Sequence, residues 1–337
     1  MKPESQATLF HPFDTGDIEA PSAGRFLFLG AEPGFRLPEG FGAELHLVQG
    51  FRPHFRALEA SGHKVTPTPE GRDFAGALVL AGRHRGQNEA WIADAVERVV
   101  PGGLIVVAGS TDDGIASLRK RVGKLIGLDG HLPKYHGVAF WFRCPDEPEP
   151  TVEALRPATS RVDGRFAAAP GMFSRDRVDT GSRLLAECLP ESAKGIAADF
   201  GAGWGYLSAQ LAERTKGLKA IDLYEAGYES LEAAKTNLSS PPDAPELGFF
   251  WHDLSSEKIE KKYDLIVMNP PFHQGRAAEP GIGQAMIKAA ASALKPGGRL
   301  LMVANRGLPY EQALRIGFKD VQELRNESGF RVLTARR

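Results

Sequence analysis

Only two cysteines, Cys144 and Cys188, occur in 337 residues. Neither has a partner at metal-ligand spacing, which excludes a disulfide scaffold and a cysteine-based zinc site and points to a reducing compartment. The nine histidines are scattered and form no pair on a helix face, so no metal is expected. Nowhere do about 18 apolar residues run together, and the opening MKPESQATLFHPFDTGD lacks the apolar stretch of a signal peptide. A cytoplasmic protein with no membrane partner is the expectation. An excess of one charge is missing too: 41 Lys and Arg stand against 42 Asp and Glu, which denies the chain a global positive field for nucleic acid. Any such contact has to come from local patches: Arg83 and Arg85; Arg119, Lys120, Arg121 and Lys124; or Arg161, Arg165, Arg175 and Arg177.

What is present is 42% apolar and 25% charged residues, the balance of a globular protein long enough for two domains. Two stretches echo each other. Phe74 to Gly109, FAGALVLAGRHRGQNEAWIADAVERVVPGGLIVVAG, and Tyr263 to Asn305, YDLIVMNPPFHQGRAAEPGIGQAMIKAAASALKPGGRLLMVAN, each read as strand, loop, amphipathic helix, Pro-Gly-Gly turn and second strand. This is a βαβ unit used twice, so the expected fold class is α/β with an internal duplication. Between the copies, the Pro- and Glu-rich CPDEPEPTVEALRP reads as a linker. The expected division is a first domain over 1–145, a linker over 146–168 and a second domain over 169–337.

The second half opens with GIAADFGAGWGYLSAQLAERTKG. Ile196 to Phe200 reads as a strand, Gly201, Gly203 and Gly205 as a tight loop, and Tyr206 to Arg214 as a helix. Glycines in such a turn let a ligand approach the backbone, because no side chain stands in the way. The next strand, Leu218 to Tyr224, ends at Glu225, about 20 residues beyond Gly203, where a carboxylate reaches the ribose of a bound nucleoside. Asp253 follows a third strand in FFWHDL, and Asn269-Pro270-Pro271-Phe272 ends a fourth. The carboxyl ends of parallel strands form one crevice, so all four features face the same place.

DFGAGWG resembles the first cofactor motif of class I S-adenosylmethionine-dependent methyltransferases. A pyrophosphate-binding NAD enzyme would want G-x-G-x-x-G, whereas the spacing here suits S-adenosyl-L-methionine. The resemblance implies two tandem Rossmann-like domains. It also implies that the loop Gly201, Ala202 and Gly203 approaches the cofactor, that Asp199 orients its amino group, that Glu225 binds the ribose and that Asp253 binds the adenine amine. N-P-P-F narrows the family to enzymes that methylate planar nitrogens. Such an amine is a poor nucleophile because its lone pair is delocalised. The Asn269 side-chain oxygen and the Pro270 carbonyl would take its two N–H groups and hold the nitrogen toward the methyl. Pro270 and Pro271 stiffen the loop, Phe272 offers a face to a flipped base, and His273 lies within reach of substrate.

The resemblance is closer still over APGMFSRDRVDTGSRLL (Ala169 to Leu185), NPPFHQG and VANRGLPYEQAL (Val303 to Leu314). With a degenerate first copy of the fold, these segments are similar to bacterial small-subunit ribosomal RNA guanine-N2 methyltransferases. The implied partner is ribosomal RNA or an assembled ribosomal subunit, and the chain is expected to be a monomer. In that family the FSRDRVDTGS stretch covers the cofactor, which adds Phe173 and Asp179 to the candidate cofactor residues. The first copy is expected to be inactive. Pro33 and Pro38 break the helix that should follow its glycine loop, Gln49 stands for Glu225, and Ala81 and Gly82 stand for Asn-Pro. Such a half would position substrate or support its partner. Three other readings are weighed. A protein glutamine methyltransferase and a DNA adenine methyltransferase both favour N-P-P-Y, and a non-catalytic ribosome-assembly factor would be free to lose Asn269, Glu225 and Asp253.

Overall fold

The computed structural model describes residues 3–156, 160–174, 176–238, 244–271, 273–274, 277–278, 280–308 and 310–337. They form two compact units, Met1–Ala158 and Thr159–Arg337. The first unit is built from α1 (Pro3–Asp14), β1 (Arg25–Leu29), β2 (Glu44–Val48), α2 (Arg52–Ala60), β3 (Val65–Thr66), β4 (Phe74–Ala81), α3 (Arg85–Arg98), β5 (Val99–Ser110), α4 (Ile115–Leu125), β6 (Gly130–Lys134), β7 (Gly137–Arg143) and α5 (Glu149–Leu155). Its strands form one sheet in the order β3-β2-β1-β4-β5-β7-β6, parallel except for the antiparallel β7 and β6. The central strand β4, FAGALVLA, is buried at nearly every residue because helices cover both faces of the sheet. One face packs Ile92, Val96 and Leu118, the other Leu9, Phe10 and Phe28.

The second unit contains the hairpin β8 (Ser160–Val162) and β9 (Phe166–Ala168), then α6 (Thr180–Glu187), β10 (Ser192–Phe200), α7 (Tyr206–Arg214), β11 (Lys216–Glu225), α8 (Tyr228–Asn237), β12 (Glu246–Trp251) and β13 (Tyr263–Met268). A short hairpin β14 (His273–Gln274) and β15 (Ala277–Ala278) leads to α9 (Pro280–Ala293), β16 (Leu294–Asn305), α10 (Glu311–Gly317), β17 (Lys319–Glu327) and β18 (Phe330–Arg336). Its sheet order is β12-β11-β10-β13-β16-β18-β17, strand for strand the order of the first unit. The duplication anticipated from two βαβ echoes therefore extends to the whole sheet. Parallel strands β12, β11, β10, β13 and β16 bring their carboxyl ends to one edge, where the order reverses between β10 and β13.

The stretch 146–168 does not run as a linker. Glu149–Leu155 is helical, with Pro150 in the first turn, where a missing N–H costs nothing. Leu155 is fully buried in the first core, and Arg156 pairs with Asp94 at 3.0 Å and with Glu97. Ser160–Ala168 is the first hairpin of the second unit, with Val162 and Phe166 buried against Trp204. The division falls at 158/159, inside the stretch expected to join the two domains.

Candidate active site at the carboxyl edge of the second sheet

β10 ends at Phe200, and the chain turns through Gly201, Gly203 and Gly205 at φ of 77°, 55° and 93°. These left-handed angles strain any residue with a Cβ. The backbone N–H groups of Gly201 and Ala202 donate to the Tyr224 carbonyl at 2.8 and 3.1 Å, which ties the loop to the end of β11. Nothing lies within 4 Å of the Cβ position at Gly203, so that side of the loop faces open space. Glu225 closes the arrangement: one carboxylate oxygen accepts from Gly203 N at 2.8 Å and the other from Gly227 N at 2.7 Å. A carboxylate has about four acceptor sites, so these bonds leave capacity for a further donor.

Asp199 is fully buried at the penultimate position of β10. Its Oδ2 accepts from Ser208 Oγ of α7 at 2.7 Å, while its Oδ1 has no partner among the described residues. Burial pushes the Asp199 carboxyl up to about 7, opposed by the Ser208 hydroxyl and reinforced by the charge of Glu225. Burial also raises Glu225, against the pull of the Gly227 and Gly203 N–H groups. No described cation pairs with either acid. A buried carboxylate with an orphaned oxygen and a half-buried one, beside an open backbone cradle, fit a ligand that carries positive charge and hydroxyl donors.

Across the crevice, β13 stops at Met268 because Pro270 and Pro271 cannot continue the ladder. Asn269 Nδ2 donates to Asp179 Oδ2 at 2.9 Å and to Ser182 Oγ at 2.7 Å. Its Oδ1 is buried and has no partner among the described residues. Asp179 is also the N-cap of α6, accepting from Ser182 N at 2.8 Å. Phe173, expected to cover the cofactor, is 60% exposed; its carbonyl accepts from the Trp204 indole at 2.9 Å. Trp204 itself is buried, with its ring 5.0 Å from that of Phe166. One cleft is thus lined by Phe173, Asp179, Ser182, Gly203, Trp204 and Asn269.

Pro270 is buried and Pro271 exposed at the rim. Phe272 lies outside the described residues, and of His273 only the backbone is described, paired with Ala278 in the short hairpin. Asp199, Glu225 and Asp253 do not themselves line this cleft; the first two lie behind its glycine loop, and Asp253 is held in a separate turn. Its carboxylate accepts from Ser255 N at 2.8 Å and from Ser256 Oγ, knitting the turn after β12. Ser182 and Ser208 are partners that reading the chain overlooks. The D-T-G-S run carries an N-cap signal for Ser182, whereas Ser208 had none, since its role depends on α7 docking over Asp199.

The first unit shows the same crevice filled in. Register places Phe28, buried against the Phe10 and Phe35 rings, where the second unit has Asp199. Gln49 occupies the Glu225 position, but it donates to the Ala31 carbonyl at 2.7 Å and accepts from Phe51 N at 2.8 Å. Register also corrects the expected alignment at the fourth strand. Leu29 pairs with Val79 as Phe200 pairs with Met268, so Leu80 and Ala81, not Ala81 and Gly82, stand where Asn269 and Pro270 are. β4 then runs on through Ala81, and Asn88 bonds both N–H and C=O of Gly82 at 2.8 and 2.7 Å. A Cβ at Gly30 would lie 2.6 Å from the Trp91 ring, so the loop that corresponds to Gly201 has no free space. The residues between Gly30 and Ala43 form no helix, as Pro33 and Pro38 suggest.

Several arginines offered as nucleic-acid contacts are engaged internally. Arg83 meets Asp113 at 3.3 Å, Arg85 and Arg121 share Glu89 at 2.7 and 2.8 Å, and Arg165 pairs with Glu213. Among the described residues no group of three His, Cys, Asp or Glu could hold a metal, and no helix is long and apolar enough to cross a membrane.

A seven-stranded, mostly parallel sheet with a glycine loop, a ribose-distance acid and an Asn-Pro-Pro strand end defines a nucleoside-cofactor fold of the methyltransferase type. The methyltransferase small domain profile matches residues 163–334, and the chain belongs to that family. The chain is 31% identical over 228 residues to a protein of Salmonella newport (strain SL254) named ribosomal RNA small subunit methyltransferase C, covering 65% of this chain and 64% of the relative. The protein of the same name in Salmonella typhimurium (strain LT2) is 31% identical over 232 residues, 66% of this chain and 65% of the relative. The match thus spans just under two thirds of these relatives' length. Among solved structures, the T. Thermophilus 16S rRNA N2 G1207 methyltransferase, in complex with AdoMet and guanosine, superposes with a TM-score of 0.79 at 25% identity, covering 99% of this chain and 92% of that one.

Proposed function

We propose that this chain transfers a methyl group from S-adenosyl-L-methionine to the exocyclic N2 of a guanine in small-subunit ribosomal RNA. The observation that carries the proposal is the buried side-chain oxygen of Asn269 at the end of β13, without a partner among the described residues, on the cleft that the glycine loop also lines. The likeness to a guanosine-bound N2 methyltransferase over nearly the whole chain supports the choice of guanine. When bound, the sulfonium supplies an electrophilic methyl group.

The chain's own residues bind and aim. Gly201, Ala202 and Gly203 offer their backbone, Glu225 takes the ribose hydroxyls, and Asp199 sets negative charge opposite the cofactor's amino group. Asp253 is assigned to the adenine side and Phe173 to the cover. Asn269 Oδ1 and the Pro270 carbonyl accept the two N–H bonds of the guanine amine and so direct its lone pair. Because that nitrogen turns acidic once alkylated, it gives up one of its two held protons to water, and no strong base is required. Phe272, Pro271 and His273 are assigned to the base. The first unit positions RNA or supports the second, and the protein acts in the cytoplasm as a monomer. The non-catalytic reading is disfavoured by the contrast between units: Phe28, Gln49 and Leu80 are what a released site becomes.

Incubation with tritium-labelled S-adenosylmethionine and small subunits, large subunits or naked ribosomal RNA, followed by digestion to nucleosides, tests the proposal. Label in N2-methylguanosine from small-subunit material is expected. No label in any RNA, with cofactor binding confirmed, would overturn it and bring a glutamine amide forward as the substrate.

A further inference from the structure

An asparagine amide can turn by half a rotation about its last torsion with almost no change in shape. At Asn269 that turn would replace an acceptor with a donor and set N–H against N–H at a substrate amine. The carbonyl of Pro270 cannot invert in this way, so Asn269 is the weak point of the acceptor pair. Resting on the methyl-transfer reading above, we propose that Asp179 is the positioning residue that locks the Asn269 amide with its oxygen toward the substrate.

The geometry supports this in four ways. Asp179 Oδ2 sits 2.9 Å from Asn269 Nδ2, and a carboxylate has no proton to give, so the turned amide would place oxygen against oxygen. Ser182 Oγ holds the same nitrogen at 2.7 Å, so two acceptors share the two N–H bonds and leave Oδ1 with none of the local partners. Asp179 is itself immobilised as the N-cap of α6 through Ser182 N at 2.8 Å. Space is reserved for this oxygen: a Cβ on Gly181 would come 3.0 Å from Asp179 Oδ2 and 3.0 Å from the Phe330 ring. The segment that covers the cleft thereby reaches the acceptor at the far strand end, and its helix cap doubles as the clamp.

Capping, cofactor contact and clamping can be separated. Serine caps a helix about as well as aspartate but is too short to reach Asn269, so Asp179→Ser keeps the cap and removes the clamp. Asp179→Asn can offer the same oxygen to both donors and serves as the conservative rescue. Three quantities are measured for each variant: melting temperature, cofactor Kd, and single-turnover transfer to small subunits. Asp179→Ser is expected to retain melting temperature and Kd but to lose roughly tenfold or more in transfer rate, the scale of one hydrogen bond. Asp179→Asn should stay within about threefold of the parent. Ser182→Ala should fall between them. A raised cofactor Kd in Asp179→Ser would make Asp179 a cofactor contact instead, and unchanged transfer would leave it a helix cap only; either overturns the inference. Failure of the parent reading is seen separately, as an unmodified chain that makes no N2-methylguanosine.

Discussion

Among the described residues no cation pairs with Asp199 or Glu225, and burial raises both. For Asp199 the folded value is about 7 against an ordinary 3.8, so the folded protein binds the proton more tightly than the unfolded chain does. Its contribution to stability is therefore full below 3.8 and is lost as pH rises through about 7. Thermal melts of the ligand-free protein across that window should slope downward, and Asp199→Asn should remove part of the slope. A cationic cofactor selects the ionised form. Its affinity should rise roughly tenfold between about pH 6 and about pH 8, measured by calorimetry, and Asp199→Asn should bind more weakly with a flat profile. A parent protein with no pH dependence would mean that the carboxyl does not meet the cofactor's charge. Ser208 and Glu225, the groups that face Asp199 from α7 and β11, remain in place in that variant.

At the scale of elements, the hairpin of β8 and β9, besides packing against Trp204, is hydrogen-bonded to the site through Asn237. Asn237, the last residue of α8, accepts from Ala167 N at 2.7 Å and donates to the carbonyls of Ala167 and Trp204, both at 2.9 Å. Asn237→Ala leaves these groups unpaired, so it should cost about 2 kcal/mol in a denaturant melt and weaken cofactor binding through the freed Trp204 loop. Unchanged stability would mean that the hairpin docks by its apolar packing and the Arg165–Glu213 pair without help from Asn237. How far these elements are legible in the chain depends on punctuation. The helix Tyr206–Arg214 is read to the residue because glycines mark its start, and β13 ends where Pro270 and Pro271 forbid continuation. In the first unit VLAG carries no such stop, and the fourth strand runs further than expected by side-chain chemistry alone. Helix α5 is hidden in a Pro- and Glu-rich stretch and the hairpin in the polar segment after it, because burial of Leu155, Val162 and Phe166 in their separate cores is what fixes these elements. The acids and Asn269 were visible as residues at strand ends, whereas the bonds from Asp179 and Ser182 depend on long-range packing.

Over the whole molecule, two copies of one sheet have taken opposite courses. The second keeps space above its glycine loop and, among the described residues, leaves Asp199 Oδ1 and Asn269 Oδ1 without partners. The first spends the same positions on packing, through Phe28, Gln49, Asn88 and Trp91. Calorimetric titration of the chain with S-adenosylmethionine or its demethylated product should accordingly give one site per chain, and Glu225→Ala should weaken that site. A second site that survives Glu225→Ala would place cofactor in the first unit and contradict the reading of that crevice as closed.

The central claim is that an open acceptor at the end of β13 makes the second unit an amine methyltransferase. Asn269→Ala tests it most directly, with single-turnover transfer to small subunits and cofactor Kd measured on one preparation. The expected result is a loss of roughly a hundredfold in transfer at a Kd within about twofold of the parent, the signature of a group that acts in the transfer step and not in cofactor binding. Transfer at the parent rate would show that Asn269 does not hold the substrate nitrogen, and the assignment of this strand end as the acceptor would fail.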